Sequence, residues 1–139
     1  MADETRSSAN EAPEPRARVV AVVGASADRR KYGNAAVRAF AAAGDTVVPI
    51  NPREAMVEGL LAYPSVRAVA EPIDMATVYV PPDVALQLLP ELRDKGIPEV
   101  WLNPGADRDD VIDEARRLGL RVVVACSIVA LGQRPDVER

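Results

Sequence analysis

The chain has 139 residues, a formal net charge of −4, one Trp, one Phe, one Cys and no His, which fits one domain and leaves no room for a second, catalytic one. An acidic chain with so few rings is not a general nucleic-acid surface. The missing histidine removes a His general base, a phosphohistidine and His metal ligands, and Cys126 alone supplies neither an internal disulfide nor a zinc set.

Residues 1–17 are Ala, Glu, Ser and Pro with no hydrophobic period, which predicts a disordered tail ahead of a domain over 18–132 and a short tail over 133–139. Nothing in that stretch resembles a signal peptide, and no apolar run approaches the roughly 20 residues that cross a bilayer. The expected address is the cytoplasm, without a membrane or nucleic-acid partner.

Val19 to Val23 is a nearly continuous apolar run, the pattern of a central parallel strand covered on both faces. Gly24, Ala25 and Ser26 follow as small residues that let backbone approach a ligand, and Arg29, Arg30 and Lys31 put three cations beside them. Tyr32, Gly33 and Asn34 lead into a helix with Val37, Phe40 and Ala41 on one face, and Gly44 is placed to end it in a left-handed cap. A strand feeding a helix N-terminus across a small-residue turn aims free amides and the positive dipole end at an anion. The unit reads as a nucleotide or phosphate cradle.

Thr46 to Ile50 is a second parallel strand, stopped by Asn51-Pro52. From Arg53 to Pro72 the pattern is less regular; Tyr63-Pro64-Ser65 forms a turn from which Ser65 caps a short helix through Ala70. Met75 to Val80 is a third strand, followed by Pro81-Pro82 and by Asp83 as the cap of a helix with Ala85, Leu88, Leu89 and Leu92 on one face. Pro90 inside that helix is expected to kink or shorten it. Glu99 to Leu102 is a fourth strand ended by Asn103-Pro104-Gly105, Asp107 caps the next helix, and Leu120 to Ala125 is a fifth strand. The alternation predicts an α/β, doubly wound parallel sheet of about five strands in a single domain.

Ligands of such a sheet bind beyond the carboxyl ends of its strands, where the strand order reverses. The residues there are Gly24 to Ser26, Asn51-Pro52, Val80 to Pro82, Asn103 to Gly105 and Cys126-Ser127. They contain no carboxylate, no acid and base pair and no nucleophile with a partner base, so the site reads as binding rather than catalytic. The dinucleotide fingerprint fails twice: Gly24 and Gly33 do not make G-x-G-x-x-G, and the second strand ends in Asn51 rather than an acid. A longer basic loop suits a phosphate standing further out, as in an ADP with a 3'-phosphate.

The ordered set VVGAS at 22–26, PINP at 49–52, YPS at 63–65, VYVPP at 78–82, VWLNPG at 100–105 and the Cys126 turn resembles the stand-alone CoA-binding domain family. That family is similar to the N-terminal domain of the succinyl-CoA ligase alpha subunit. The resemblance covers about residues 18–132 and implies a Rossmann-like domain that binds CoA. Ser26 and the neighbouring amides of the turn from Gly24 and Ala25 to Gly33 would then meet the phosphates, and Arg29, Arg30 or Lys31 would neutralise them. Asn51, Pro52 and Arg53 would flank the nucleotide, with Val80 and Pro81 as an apolar wall for the adenine. Ligase activity is not carried over, because the phosphorylated histidine it needs is absent.

Each of these residues also has a plainer reading. The basic run also reads as a solvated loop, Tyr32 as a loop anchor rather than a stacking ring, Asn51-Pro52 as turn formers and Val80-Pro81 as core edge. Cys126 is an inert small hydrophobe or, near a CoA thiol, one half of a mixed disulfide. The alternative functions are an NAD(P)- or other nucleotide-sensing domain acting through a partner, and a CoA-binding subunit of a multi-chain enzyme. A homodimer stays open.

Overall fold

A computed structural model describes residues 16–138. Its strands are β1 (Val19–Val23), β2 (Thr46–Ile50), β3 (Met56–Val57), β4 (Leu60–Leu61), β5 (Met75–Val78), β6 (Glu99–Leu102) and β7 (Arg121–Val124). The helices are α1 (Tyr32–Ala42), α2 (Pro82–Lys95), α3 (Asp109–Arg117) and α4 (Ser127–Ala130). Five strands form one parallel sheet in the order β2-β1-β5-β6-β7. The doubly wound, Rossmann-like expectation is met, and the order reverses between β1 and β5.

All five residues of β1 are buried because successive strand side chains point to opposite faces and both faces are covered. Val20, Val22, Val47 and Met75 pack against Ala36, Val37 and Phe40 of α1 and Ile128 of α4. Ala21, Val23, Val48, Ala76 and Val78 pack on the other face against Ala85, Leu89 and Leu92 of α2 and Val111 and Ala115 of α3. Each large side chain buried this way contributes about 1.5–3 kcal/mol. The register aligns Val23 with Ile50 on one side and Val78 on the other. Three strand ends therefore finish level at the switch point.

Several expectations shift in detail. Ala41 lies on the exposed side of α1. Pro81 takes the N-cap position of α2 with Pro82 at its start, and Asp83 stands inside the first turn; proline's fixed φ is already helical and its missing donor has no partner there anyway. Pro90 does not end α2, which runs on to Gly96 (φ 78°). Arg108, not Asp107, is the N-cap of α3, and the Asp107 carboxylate accepts the Gly105 amide at 3.2 Å.

The irregular stretch hides a two-residue hairpin, β3 against β4, closed by Glu58 and Gly59 at φ 51° and 77°, the positive pair that a tight primed turn requires. A single 3₁₀ turn, Val66–Ala68, replaces the short helix expected through Ala70, and Ser65 makes no side-chain cap bond.

The first fifteen residues of the predicted N-terminal tail lie outside the described residues. Arg16, also assigned to that tail, forks onto Asp74 at 2.9 and 3.1 Å. After α4 the chain runs back over α1: Gln133 Nε2 donates to Ala39 O at 2.9 Å, and the Glu138 amide to Arg29 O at 3.0 Å. No helix among the described residues is long and apolar enough to cross a membrane.

Candidate functional site

Gly24 ends β1 at φ 92°, and a Cβ there would stand 3.0 Å from Val80 Cγ1 and 3.1 Å from the Tyr79 carbonyl carbon. Only glycine satisfies both demands. Its amide and that of Ala25 donate to Ile50 O at 3.1 and 3.3 Å. Asn51 locks the same junction from the other strand: Nδ2 donates to Ala25 O at 2.7 Å, and Oδ1 accepts the Arg53 amide at 2.7 Å. The second bond is an Asx turn, the local reason Asn-Pro stops β2 here.

Between these strand ends and α2 lies a cavity of about 500 Å³. Gly24, Asn51, Pro52, Arg53, Val80 and Pro81 line it together, so six of the thirteen predicted binding residues converge from three strand ends. A pocket of this size with an apolar lining and a few polar groups at a switch point has the build of a nucleotide site. Sequence reasoning did not assign Ser65 and Val66, nor Val84, Leu88 and Glu91 of α2, to the site, though they line it too, with Val23, Ile50, Pro64 and Leu92. The trace in the sequence is faint: Val84, Leu88 and Glu91 recur at helical spacing beside the stronger core stripe of Ala85, Leu89 and Leu92.

The other seven predicted residues, Ala25, Ser26, Arg29, Arg30, Lys31, Tyr32 and Gly33, form the adjoining turn and the start of α1 and do not line the cavity. Ala25 is fully buried. Ser26 Oγ accepts the Asp28 amide at 3.0 Å, and Ser26 O accepts Asn34 Nδ2 at 2.9 Å. Arg30 forks onto the Asp28 carboxylate at 3.0 and 2.9 Å, and this bonding holds the Asp28 carboxyl down at about 2. Arg29 stands between Glu138 at 3.0 Å and Glu58 at 3.8 Å. Lys31 and Arg53 make no ion pair among the described residues, and Tyr32 is exposed. Two of the loop's three cations are thus already paired with carboxylates, and the cavity has its own cation in Arg53. The amides of Ser26, Tyr32 and Gly33 have no acceptor among the described residues, which leaves donors for an anion at this helix start.

On the α1 side, Asn103 joins three strand ends. Its Nδ2 donates to Thr77 Oγ1 at 2.7 Å and Val78 O at 2.9 Å, and its Oδ1 accepts the Ser127 amide at 2.8 Å and hydroxyl at 3.1 Å. With the Ser127 proton so placed, Thr77 and Tyr79 both donate to Ser127 Oγ, at 2.7 and 2.9 Å. Burial pushes the Tyr79 hydroxyl up from its ordinary value. Every polar atom has a partner, so this is a structural clasp. Cys126, half-buried next to it, packs against the α1-side core. Among the described residues no three His, Cys, Asp or Glu side chains converge on a metal position.

A family model described as CoA binding domain matches residues 18–132. Subunit alpha of acetate–CoA ligase (ADP-forming) II from Pyrococcus furiosus is 29% identical over 117 residues, 76% of this chain and 26% of that protein. Acetate–CoA ligase (ADP-forming) I from Archaeoglobus fulgidus is 28% identical over 116 residues, 76% of this chain and 17% of its own. The chain thus spans about a quarter or less of the curated relatives it matches.

Among solved structures, a conserved protein of Pyrococcus furiosus superposes with a TM-score of 0.75 at 33% identity, covering 81% of this chain and 98% of the other. An acetyl-coenzyme A synthetase of Candidatus Korarchaeum cryptofilum, in complex with phosphate and ADP, gives 0.68 at 29% identity over 77% of this chain and 25% of the other. With the family model matching nearly the whole of the described fold, this chain belongs to the CoA-binding domain family.

Proposed function

We propose that the chain binds CoA or acyl-CoA and does no chemistry on it. The observation that carries this reading is the switch-point cavity, mostly apolar with a few polar groups, whose rim carries Arg53, a cation with no ion pair among the described residues. In this reading Val80 and Pro81 wall the adenine, Arg53 meets the phosphates together with the open amides of the turn, and the pantetheine runs across the strand ends. The absence of an acid and base pair or an activated nucleophile in the lining supports a binding role.

A second reading, a CoA-binding subunit of a multi-chain enzyme, is favoured by one observation: the ligase relatives are far longer than this chain. Calorimetric titration with CoA, desphospho-CoA lacking the 3'-phosphate, and NADP tests the binding. CoA is expected to bind, to weaken without its 3'-phosphate, and to outcompete NADP. Equal binding of CoA and NADP would replace the CoA reading with general nucleotide sensing. Co-purification with a histidine-bearing ligase subunit would favour the second reading over the first.

A further inference from the structure

The cavity has two charged lining residues, Arg53 and Glu91, and the rest of its wall is neutral. They stand at different levels along the strand direction. Arg53 is exposed just past the end of β2, at the level where the strands finish. Glu91 belongs to α2, which starts at the end of β5 and runs back antiparallel to the strands, as a crossover between parallel strands must. Val84, Leu88 and Glu91 share the cavity-facing side of that helix, so Glu91 lies about 10 Å further along the axis than Val84, at ~1.5 Å per residue. The cavity is therefore polarised along α2, with a cation at the strand-end level and a carboxylate toward the far end of the helix.

Glu91 is half-buried and makes no ion pair or hydrogen bond among the described residues. A carboxylate facing an apolar cleft is costly until a donor meets it, and an ionised one only accepts. Phosphates would be repelled, so the part of a ligand that fits beside Glu91 is uncharged and carries N–H.

We propose that Glu91 is a specificity-determining residue that accepts a hydrogen bond from the exocyclic amine of adenine while the phosphates of the same ligand lie at Arg53. This inference rests on the CoA reading. A bond from a neutral donor to a carboxylate is among the stronger ones, so its loss should be visible as a change in affinity.

The test is titration of the full chain and its Glu91→Ala and Glu91→Gln variants with CoA and with 1,N6-etheno-CoA. The etheno bridge removes both N–H donors of the amine and adds bulk. The unaltered protein should bind the etheno ligand about tenfold or more weakly than CoA. Glu91→Ala should lose most of that preference by weakening CoA binding, and Glu91→Gln, whose amide oxygen still accepts, should keep part of it. A preference that persists undiminished in Glu91→Ala comes from bulk alone and overturns the proposal, as does an unaltered protein with no preference. Failure of CoA itself to bind the unaltered protein overturns the CoA reading and this inference with it. Retained thermal unfolding of both variants separates loss of recognition from loss of fold.

Discussion

A Cβ on Gly33 would stand 2.1 Å from the carbonyl oxygen of Gly24, so the first turn of α1 meets the end of β1 backbone to backbone. Gly33 is required by packing, and no flexible side chain is available to move aside. Gly33→Ala should cost about 3 kcal/mol, the upper end of overpacking costs. Gly44→Ala is the control: a Cβ there meets nothing within 4 Å but sits at φ 92°, and should cost about 1–2 kcal/mol. Urea denaturation midpoints check the ranking. Equal shifts would mean the contact relaxes freely.

Gly33 also marks what the sequence reveals and what it does not. Read locally, it is one more small residue in an anion loop; its partner Gly24 becomes visible only once α1 folds back on β1. The five strands of the parallel sheet and helices α1 to α3 were legible because their apolar periods are local properties, whereas the β3-β4 hairpin, with two residues to a strand, has no such period. The convergence of Gly24, Asn51 to Arg53, Val80 and Pro81 was legible because a parallel sheet puts all its strand ends on one edge. The partners of the basic run were not, because Arg29 is neutralised by Glu58 on a hairpin without an apolar period and by Glu138 near the other end of the chain. Nor was the second stripe of α2, Val84, Leu88 and Glu91, which lies beside the stronger core stripe of Ala85, Leu89 and Leu92.

Arg53 and Arg30 should separate sharply in CoA binding. Arg30 is already committed to Asp28 by two hydrogen bonds, and a phosphate would have to compete with that carboxylate. Arg53 lines the cavity and makes no ion pair among the described residues. Arg53→Ala should weaken CoA binding about tenfold and flatten its salt dependence, because a charge-assisted contact at an exposed rim is lost. Arg30→Ala should change affinity by less than about twofold, as for a surface pair of little net worth. Titrations at two salt concentrations check this, and the opposite order would return the phosphates to the 29–31 loop.

The pairing of Arg29 with Glu138 makes a related point about the chain's C-terminal run. The Glu138 carboxylate lies 3.0 Å from Arg29 Nε, its amide bonds Arg29 O at 3.0 Å, and Asp136 pairs with Arg38 at 3.3 Å. Both members of the Arg29 pair are about half exposed, so Glu138→Gln should shift stability by less than about 1 kcal/mol. If bound phosphates reach Arg29, the same change removes a competing carboxylate, and CoA should bind about twofold to fivefold more tightly. An unchanged affinity would leave Arg29 outside the ligand's reach and the cavity residues alone in charge of it.

Asn103 is the position where a one-atom change should do most harm. It is 1% exposed and uses both ends of its amide, donating to Thr77 and Val78 and accepting twice from Ser127. Asn103→Ala strands buried donors and acceptors on both sides, at about 1–3 kcal/mol for each group left unmet. The loss should be about 3 kcal/mol or more. Asn103→Asp keeps the shape but sets an acceptor against Thr77 Oγ1 and Val78 O. Burial and the lost donor should raise the folded-state pKa of that carboxyl above its unfolded value of about 3.9. The folded state then holds the proton more tightly, so this variant should be most stable at acid pH and lose stability as pH rises from the unfolded pKa through the folded one. The Ala variant has no such group and should not share that dependence. Denaturation midpoints across pH 4 to 8 for the two variants compare these cases directly. A flat difference between Asp and Ala would mean that water enters the clasp and solvates the charge.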